Sequence, residues 1–472
     1  MYIAGQLVDA EDGSKSKVTC PATEEIIAET AQAKAQDAEK ALISAKKGFT
    51  YWSNLSLAER TEWMLQFRKE ILDNQELLRK AIIYETGKTY GQSWEDIELL
   101  VNALEWYPET MKNYREEEIP DYENTHHHVM VSQPAGVVVA YLAWNFPLLN
   151  VAYKLGPALA AGCSIILKPS PYTPLTTYML GELMHRINFP EGVVNIIAGP
   201  DKEVGTALSN STIPSTITMI GSTSSARQVI ADSNTSIKRF SMELGGNAPF
   251  IVFDDADIDK ALNIGILLKY GNCGQVCVAV NRFFVHKNIY DTFLKEFIKR
   301  ANDLRLGFGM KEDYDMGPLI TRSARDKMFD LINEAVSKGA KLETGGKIPE
   351  GKENGNWLEP TVLSNVNSDM RIFREEIFGP VAPIMSFETD EEVLELANDV
   401  EHGLASYIFT NSHDRIIKFS EKLEFGEVQV NGVKYCIYLP HGGIKNSGMG
   451  HDCSHLALRE YLIKKRISTA KS

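Results

Sequence analysis

Residues 137–142 read VVVAYL, and three runs of the same kind follow: SIILKPS at 164–170, VVNIIAG at 193–199 and TITMIGS at 216–222. Each is short, rich in β-branched residues and continuously apolar rather than alternating, the pattern of parallel strands covered on both faces. Helical stretches such as Pro174–Ile187 separate them. Strand, helix and strand in this order predict an α/β unit with a mainly parallel sheet, the architecture of a nucleotide-binding domain. A second series begins near Pro249 with PFIVF, NRFFVH, YIFT and EVQV, interleaved with helices expected over Ile289–Arg305 and Arg325–Lys338. It predicts a second α/β unit. Upstream, Asp37–Lys47 and Ala58–Tyr84 carry apolar residues at three- and four-residue spacing and read as amphipathic helices.

The chain has 472 residues, enough for two or three domains, with 44% hydrophobic and 24% charged residues, as in soluble globular proteins. Forty-nine basic side chains against 63 acidic leave a net charge of −14. No Lys/Arg-rich block offers the clustered cations that nucleic acid or an anionic membrane would need, so neither is expected as a partner. The start, MYIAGQLVDAEDG, lacks the basic and apolar regions of a signal peptide. The apolar stretch Leu155–Leu167 is too short to span a bilayer. Six cysteines are too sparse for a disulfide framework and imply a reducing, cytoplasmic setting. Segment 116–133, with its run His126-His127-His128, and the end of the chain after Gly450 fall outside the α/β rhythm; both suit strands that pair between subunits.

Chemistry centres on GNCGQVC, residues 271–277, with Cys273 and Cys277 four apart. A structural zinc needs a second pair of ligands, which nothing nearby supplies, so no metal is expected. Three intervening residues differ from a redox C-x-x-C. Two readings stay open: a nucleophile whose neighbouring N–H groups hold a developing oxyanion, or a packed core thiol. Ser222 and Thr223 after TITMI suit a strand-to-helix turn, either as a phosphate site or a plain capped turn; no GxGxxG accompanies them. Glu243 in SMELGGN lies among apolar and small residues, where burial would raise its pKa toward that of a general base. Asn145 in AWNFP offers an amide donor at the end of the VVVAYL strand or serves only in a turn.

Eight segments follow one another in a defined order: AWNFP at 143–147, Lys154 in YKLGPALAAG, KPS at 168–170, GS at 221–222, MELGG at 242–246, GQVC at 274–277, EEIFGPV at 375–381 and PHGGIKNSG at 440–448. Together they resemble the aldehyde dehydrogenase superfamily over almost the whole chain. The resemblance implies that Cys277 is the nucleophile, that Asn145 and the Cys277 N–H form the oxyanion hole, that Glu243 activates water and that Lys154 lies near it. It implies NAD or NADP as cofactor, with Lys168 at the adenosine ribose, Ser222 at the pyrophosphate, Glu376 on the nicotinamide ribose and Phe378 beside the nicotinamide. Ala143, Trp144, Ser170, Pro171, Gly221 and Leu244 complete the implied cofactor contacts. The implied fold is a Rossmann-like cofactor domain (1–117 and 136–245), a second α/β catalytic domain (246–450) and a small β oligomerisation element (118–135 and 451–472) that builds a homodimer or homotetramer.

The implied reaction is oxidation of an aldehyde to the carboxylic acid through a cysteine thiohemiacetal and a thioester hydrolysed by glutamate-activated water. A coenzyme-A-acylating relative and a non-catalytic dinucleotide-binding protein are the alternatives; Glu243 argues against the first, and Cys277, Glu243 and Asn145 together against the second. Departures narrow the expectation. Pro171 stands where many NAD-preferring relatives have an acid, which leaves NAD and NADP both open. Ala226 replaces a frequent glycine, implying a slightly shifted phosphate turn. Tyr153 stands where semialdehyde-type relatives often have Arg, weakening a succinic-semialdehyde reading. Asp452-Cys453-Ser454 replaces the usual acidic-x-Gly on the side expected for substrate entry.

Overall fold

The computed structural model describes residues 1–471 other than 115 and 311–313. The four runs of the first series form strands of one sheet, Val137–Tyr141, Ser164–Lys168, Val194–Ile196 and Pro214–Ile220, and Arg239–Glu243 adds a fifth. These five are parallel, in the order Val194–Ile196, Ser164–Lys168, Val137–Tyr141, Pro214–Ile220, Arg239–Glu243. Tyr2–Ile3 and Gln6–Leu7 extend one edge antiparallel, and Gly448–Met449 the other. From Val137–Tyr141 the chain builds outward on one side and then returns to build on the other. A crevice therefore opens beyond the carboxyl ends of Val137–Tyr141 and Pro214–Ile220, the point where strand order reverses and ligands bind in open α/β sheets.

The second series forms a seven-stranded sheet in the order Lys341–Thr344, Thr361–Ser364, Val381–Phe387, Val280–His286, Ala248–Val252, Ala405–Phe409, Glu427–Val430, with only the first pair antiparallel. Each sheet has its own buried apolar core, and Val276 packs against both. The end of the chain crosses back. Gly448 pairs with Glu243, and a Cβ on Gly448 would lie 2.0 Å from the Met242 carbonyl, so only glycine fits that approach. The helix Ser454–Glu460 also packs on the first core, through Ala457 and Leu458. The two units thus interleave around residue 450 rather than meeting at a clean boundary.

Other elements depart from the sequence reading. The helix expected over Ala58–Tyr84 is two, Leu57–Asp73 and Gln75–Thr86. Asn74 breaks it: its side-chain amide donates to the Glu70 carbonyl at 2.8 Å, offering the backbone a local alternative to helix. A 22-residue helix, Tyr90–Met111, went unread because Gly91 and Pro108 mask its period. The apolar stretch Leu155–Leu167 is the end of helix Pro147–Ala161 and the strand Ser164–Lys168, parted by Gly162 at φ +93°. The two segments outside the rhythm pair with each other within the chain: Leu462–Ala470 runs antiparallel to His126–Pro134 over nine residues, and Glu117–Ile119 lines the other side.

Candidate active site

Asn145 lies between the strand Val137–Tyr141 and the helix Pro147–Ala161. Asp96, fully buried, accepts from the first free N–H groups of that helix, Leu148 at 3.0 Å and Leu149 at 3.1 Å, and pairs with buried Lys88 at 2.5 Å. One turn into the helix, the Asn150 amide donates to the Ala143 carbonyl (3.0 Å) and to Asn145 Oδ1 (3.4 Å). This fixes which end of the Asn145 side chain is nitrogen. Asn145 Nδ2 donates one N–H to the Gln275 carbonyl at 3.1 Å; an amide has two.

The cysteine loop is wound tightly. Asn272 (φ +48°), Cys273 (φ +58°) and Gly274 (φ +71°) are three successive left-handed residues, a conformation that costs a non-glycine residue about 1–2 kcal/mol. The single turn Gly271–Gly274 ends there, so Cys273 and Cys277 do not share a helix. A Cβ on Gly274 would lie 2.2 Å from the Gly379 carbonyl oxygen. Gln275 clamps the turn, donating to the Asn272 carbonyl (3.1 Å) and accepting from Ile320 N–H (2.8 Å). The outcome is two different thiols. Cys273 is 1% exposed in the second core, and Cys277 is partly exposed at a cavity.

Glu243 ends the strand Arg239–Glu243 at 3% exposure, and neither carboxylate oxygen has a hydrogen-bond donor among the described residues. Burial pushes its pKa up to about 7, against the opposing pull of His441. His441 places Nε2 3.5 Å from Glu243 Oε1, and its Nδ1 meets Glu427 Oε1 at 2.5 Å. Glu243, Cys277 and His441 bring one polar side-chain atom each to within 4.8 Å of one another. Burial pushes the Cys277 thiol up, while a hydrogen bond to His441 pulls it down. The imidazole, flanked by Glu243 and Glu427, is held well above its usual range despite its burial.

Lys154 is fully buried and gives its ammonium to both oxygens of Asp452 at 2.7 Å; it does not line the cavity at Cys277. Asp452 is therefore no part of a substrate entrance. It is 2% exposed, and its backbone bonds twice to that of His441 (2.9 and 2.7 Å).

Two cavities share the wall made by Asn145, Glu243 and Cys277. One leads out past Phe146, Leu149, Tyr153, Val433 and Tyr435. The other is bounded by Leu244, Gly245, Glu376 and Phe378 and joins a third cavity through Ala143, Trp144, Gly221 and Ser222. That third cavity, at the strand-order reversal, is lined also by Lys168, Ser170 and Pro171. Trp144 and Phe378 meet edge to face at 5.4 Å. Ser222 caps the helix Thr223–Asp232, accepting from Ser225 N–H at 3.1 Å, and Ala226 in its first turn bonds the Ser222 carbonyl at 3.0 Å, so the turn is regular. Lys168 pairs with Asp201 across the cavity.

Residues 7–467 match the aldehyde dehydrogenase family. The chain belongs to the aldehyde dehydrogenase family. It is similar to the mitochondrial succinate-semialdehyde dehydrogenase of Oryza sativa subsp. japonica, with 40% identity over 98% of this chain and 88% of that protein. It is also similar to the glutarate-semialdehyde dehydrogenase of Pseudomonas putida, with 38% identity over 98% and 95%. Among solved structures, an NADP-dependent enzyme of E. coli superposes with a TM-score of 0.97 at 34% identity, covering 100% of this chain and 98% of that one. As an aldehyde dehydrogenase, the chain is an NAD(P)-dependent oxidoreductase that converts an aldehyde to the acid. The crevice fits such a dinucleotide: a Cβ on Gly245 would stand 2.6 Å from Glu376 Oε2, so the glycine keeps this wall open, while Glu376 Oε1 is held by Gly246 N–H at 3.0 Å. The start of the helix capped by Ser222 borders this crevice through Ser222 and Ser225.

His441 and Glu427 were missed by the sequence reading. His441 lies inside the quoted PHGGIKNSG, and Glu427 inside EVQV, read only as a strand. Nothing in the linear order relates either to residues 243 and 277.

Proposed function

We propose that Cys277 is the nucleophile of a hydrolytic, non-acylating aldehyde dehydrogenase, with Asn145 and the Cys277 N–H as oxyanion donors and Glu243 as the base for water. The observation that carries this is the convergence of Cys277, Glu243 and Asn145 on one wall between the cofactor crevice and a second, separately opening cavity. The Cys277 thiolate attacks the aldehyde carbon, and the second N–H of Asn145 stabilises the oxyanion, an effect worth about 3–4 kcal/mol per donor. Bound NAD(P) supplies the hydride acceptor; Lys168, Ser222, Glu376 and Phe378 would hold it, with Ala143, Trp144, Ser170, Pro171, Gly221 and Leu244 along its length. Glu243, free of donors, takes a proton from the water that hydrolyses the thioester. Lys154 acts through Asp452, setting the charge behind the base rather than touching substrate.

Substrate class follows from the lining. Similarity to succinate- and glutarate-semialdehyde dehydrogenases suggests a carboxylate-bearing aldehyde. Against that, no Lys or Arg is among the described residues lining the cavity at Cys277 or the mouth beyond it, where Glu95, Glu98, Glu105 and Glu109 stand. The basic side chain on the lining, His441, is already matched by Glu243 and Glu427. Tyr153 occupies the wall instead of a cation. The proposed substrate is an aldehyde with an uncharged, apolar body.

Residues 1–117 with 136–245 are assigned to dinucleotide binding, 246–450 to catalysis, and 118–135 with 451–472 to assembly of a homodimer or homotetramer. The nine-residue edge strand Leu462–Ala470, with Ile463 and Ile467 exposed, supports the last. Six unpaired cysteines support a cytoplasmic location. No helix among the described residues is long and apolar enough to cross a membrane. The test is NAD(P)H formation without coenzyme A, with NAD and NADP in parallel, over aliphatic, aromatic and carboxylated aldehydes. Activity should vanish in Cys277→Ala and be highest for uncharged aldehydes. Turnover in that variant refutes the nucleophile, and a higher kcat/KM for succinate semialdehyde refutes the substrate class.

A further inference from the structure

We propose that Cys277, His441 and Glu427 form a proton-transfer triad in which His441 takes the thiol proton and Glu427 holds the imidazole, leaving Glu243 for the hydrolytic water. The proposal rests on Cys277 being the nucleophile.

Geometry carries it. Glu427 opens the last strand of the second sheet and takes His441 Nδ1 at 2.5 Å, which leaves Nε2 for the side where Glu243 and Cys277 lie. A histidine with one nitrogen on a partly buried carboxylate and the other facing a nucleophile has its tautomer and ring direction set. The backbone of His441 is pinned by its two bonds to Asp452, and Tyr153 and Tyr435 flank the ring at 5.8 and 6.0 Å. The titratable groups facing the ring are thus Glu427, Glu243, Cys277, Tyr153, Tyr435 and, behind it, Cys453 and Asp452, the carboxylate of the last turned to Lys154. Two carboxylates favour the imidazolium, and its hydrogen bond and charge pull the Cys277 thiol toward thiolate, against burial and the Glu243 charge, which push the thiol up.

Proton accounting gives the reason for a second acceptor. If Glu243 took the thiol proton, it would hold it when it must accept one from water. With His441 as acceptor, the S–H bond breaks as an Nε2–H bond forms. The sulfur electron pair makes the C–S bond, and the carbonyl π pair goes to oxygen. Hydrolysis later breaks C–S and regenerates thiolate beside imidazolium, while the water proton goes to Glu243. Neither the attack nor the hydrolysis is itself a redox step; the hydride lost between them, which turns thiohemiacetal into thioester, goes to the NAD(P) of the proposed reaction. His441 is a catalytic residue in this scheme, and Glu427 a positioning residue.

The experiment is the pH dependence of Cys277 alkylation by iodoacetamide in the resting enzyme, read on the modified peptide by mass spectrometry. It compares the wild type with His441→Gln, His441→Asn, Glu427→Gln and Glu243→Gln, each with its melting temperature. The expected result is an apparent pKa at least one unit higher in the His441 variants, with alkylation at neutral pH slowed about tenfold per unit. Glu427→Gln should shift it in the same direction by less, and first-turnover NAD(P)H formation should slow in parallel. An unmoved alkylation profile in the folded variants overturns the triad, as does a profile that moves only in Glu243→Gln. Full turnover in Cys277→Ala would instead overturn the nucleophile assignment, which the alkylation profile does not address.

Discussion

Glu243→Gln removes an ionisable group that folding buries at 3% exposure with no donor on either oxygen. Burial raises its pKa from 4.5 to about 7. Between those values the folded chain keeps a proton that the unfolded chain has released. Stability therefore falls as pH rises through this window, and the loss is complete above about pH 7. At 1.36 kcal/mol per pH unit, the rise from 4.5 to about 7 corresponds to about 3 kcal/mol. Glutamine does not ionise, so the variant escapes the loss. With unfolding entropy near 2.1 cal/mol/K per residue, 472 residues give about 1 kcal/mol/K, and 3 kcal/mol becomes about 3 °C. The assay is differential scanning fluorimetry of both proteins from pH 5 to 8.5. The melting temperature of Glu243→Gln minus that of the wild type should climb by about 3 °C across the range, whatever its value at pH 5. A flat or falling difference refutes the burial argument. Catalysis should move the opposite way: a first-turnover burst of NAD(P)H persists while steady-state turnover falls about 10²–10⁴-fold, and unchanged turnover refutes the base.

Asn145→Ala should slow the burst about 10²–10³-fold, seen by stopped-flow absorbance, with Cys277 alkylation near that of the wild type. Equal losses in both would mean that the cysteine turn, which Asn145 contacts through Gln275, had collapsed instead. Gly245→Ala puts a methyl 2.6 Å from Glu376 Oε2 and should weaken NAD(P) binding roughly tenfold or more, the worth of about one charge-assisted hydrogen bond, with the KM for aldehyde little changed. Cofactor titration calorimetry checks this, and unaltered affinity would show that Glu376 can move aside freely.

Much of the cofactor crevice was legible because several of the implied groups follow strands, and the strands announced themselves by continuous apolarity. Asn145, Lys168, Ser222 and Glu243 sit just past or at the carboxyl ends of four neighbouring strands, so reading the strands nearly located the crevice. The helix Tyr90–Met111 was not legible, although its Asp96 holds the start of the helix that follows Asn145. A buried carboxylate capping another helix 52 residues away leaves no local trace. The place of Asp452 was not legible for a related reason: its partner, Lys154, lies 298 residues earlier in the chain.

The sequence by itself determined two series of buried parallel strands, the thiol-bearing loop and the family to which the whole chain belongs. These are local properties: apolar periodicity, glycines required by tight turns, and short motifs in fixed order. Which of two cysteines faces a cavity was decided by three left-handed residues, the last of which, Gly274, lies against Gly379. The company Cys277 keeps was decided by the return of the chain, which lays Gly448 against Glu243 and brings His441 and Glu427 to the same buried space. Charges from residues 243, 427 and 441 interact because the two sheets close over them and exclude water, and only the packed structure creates that exclusion.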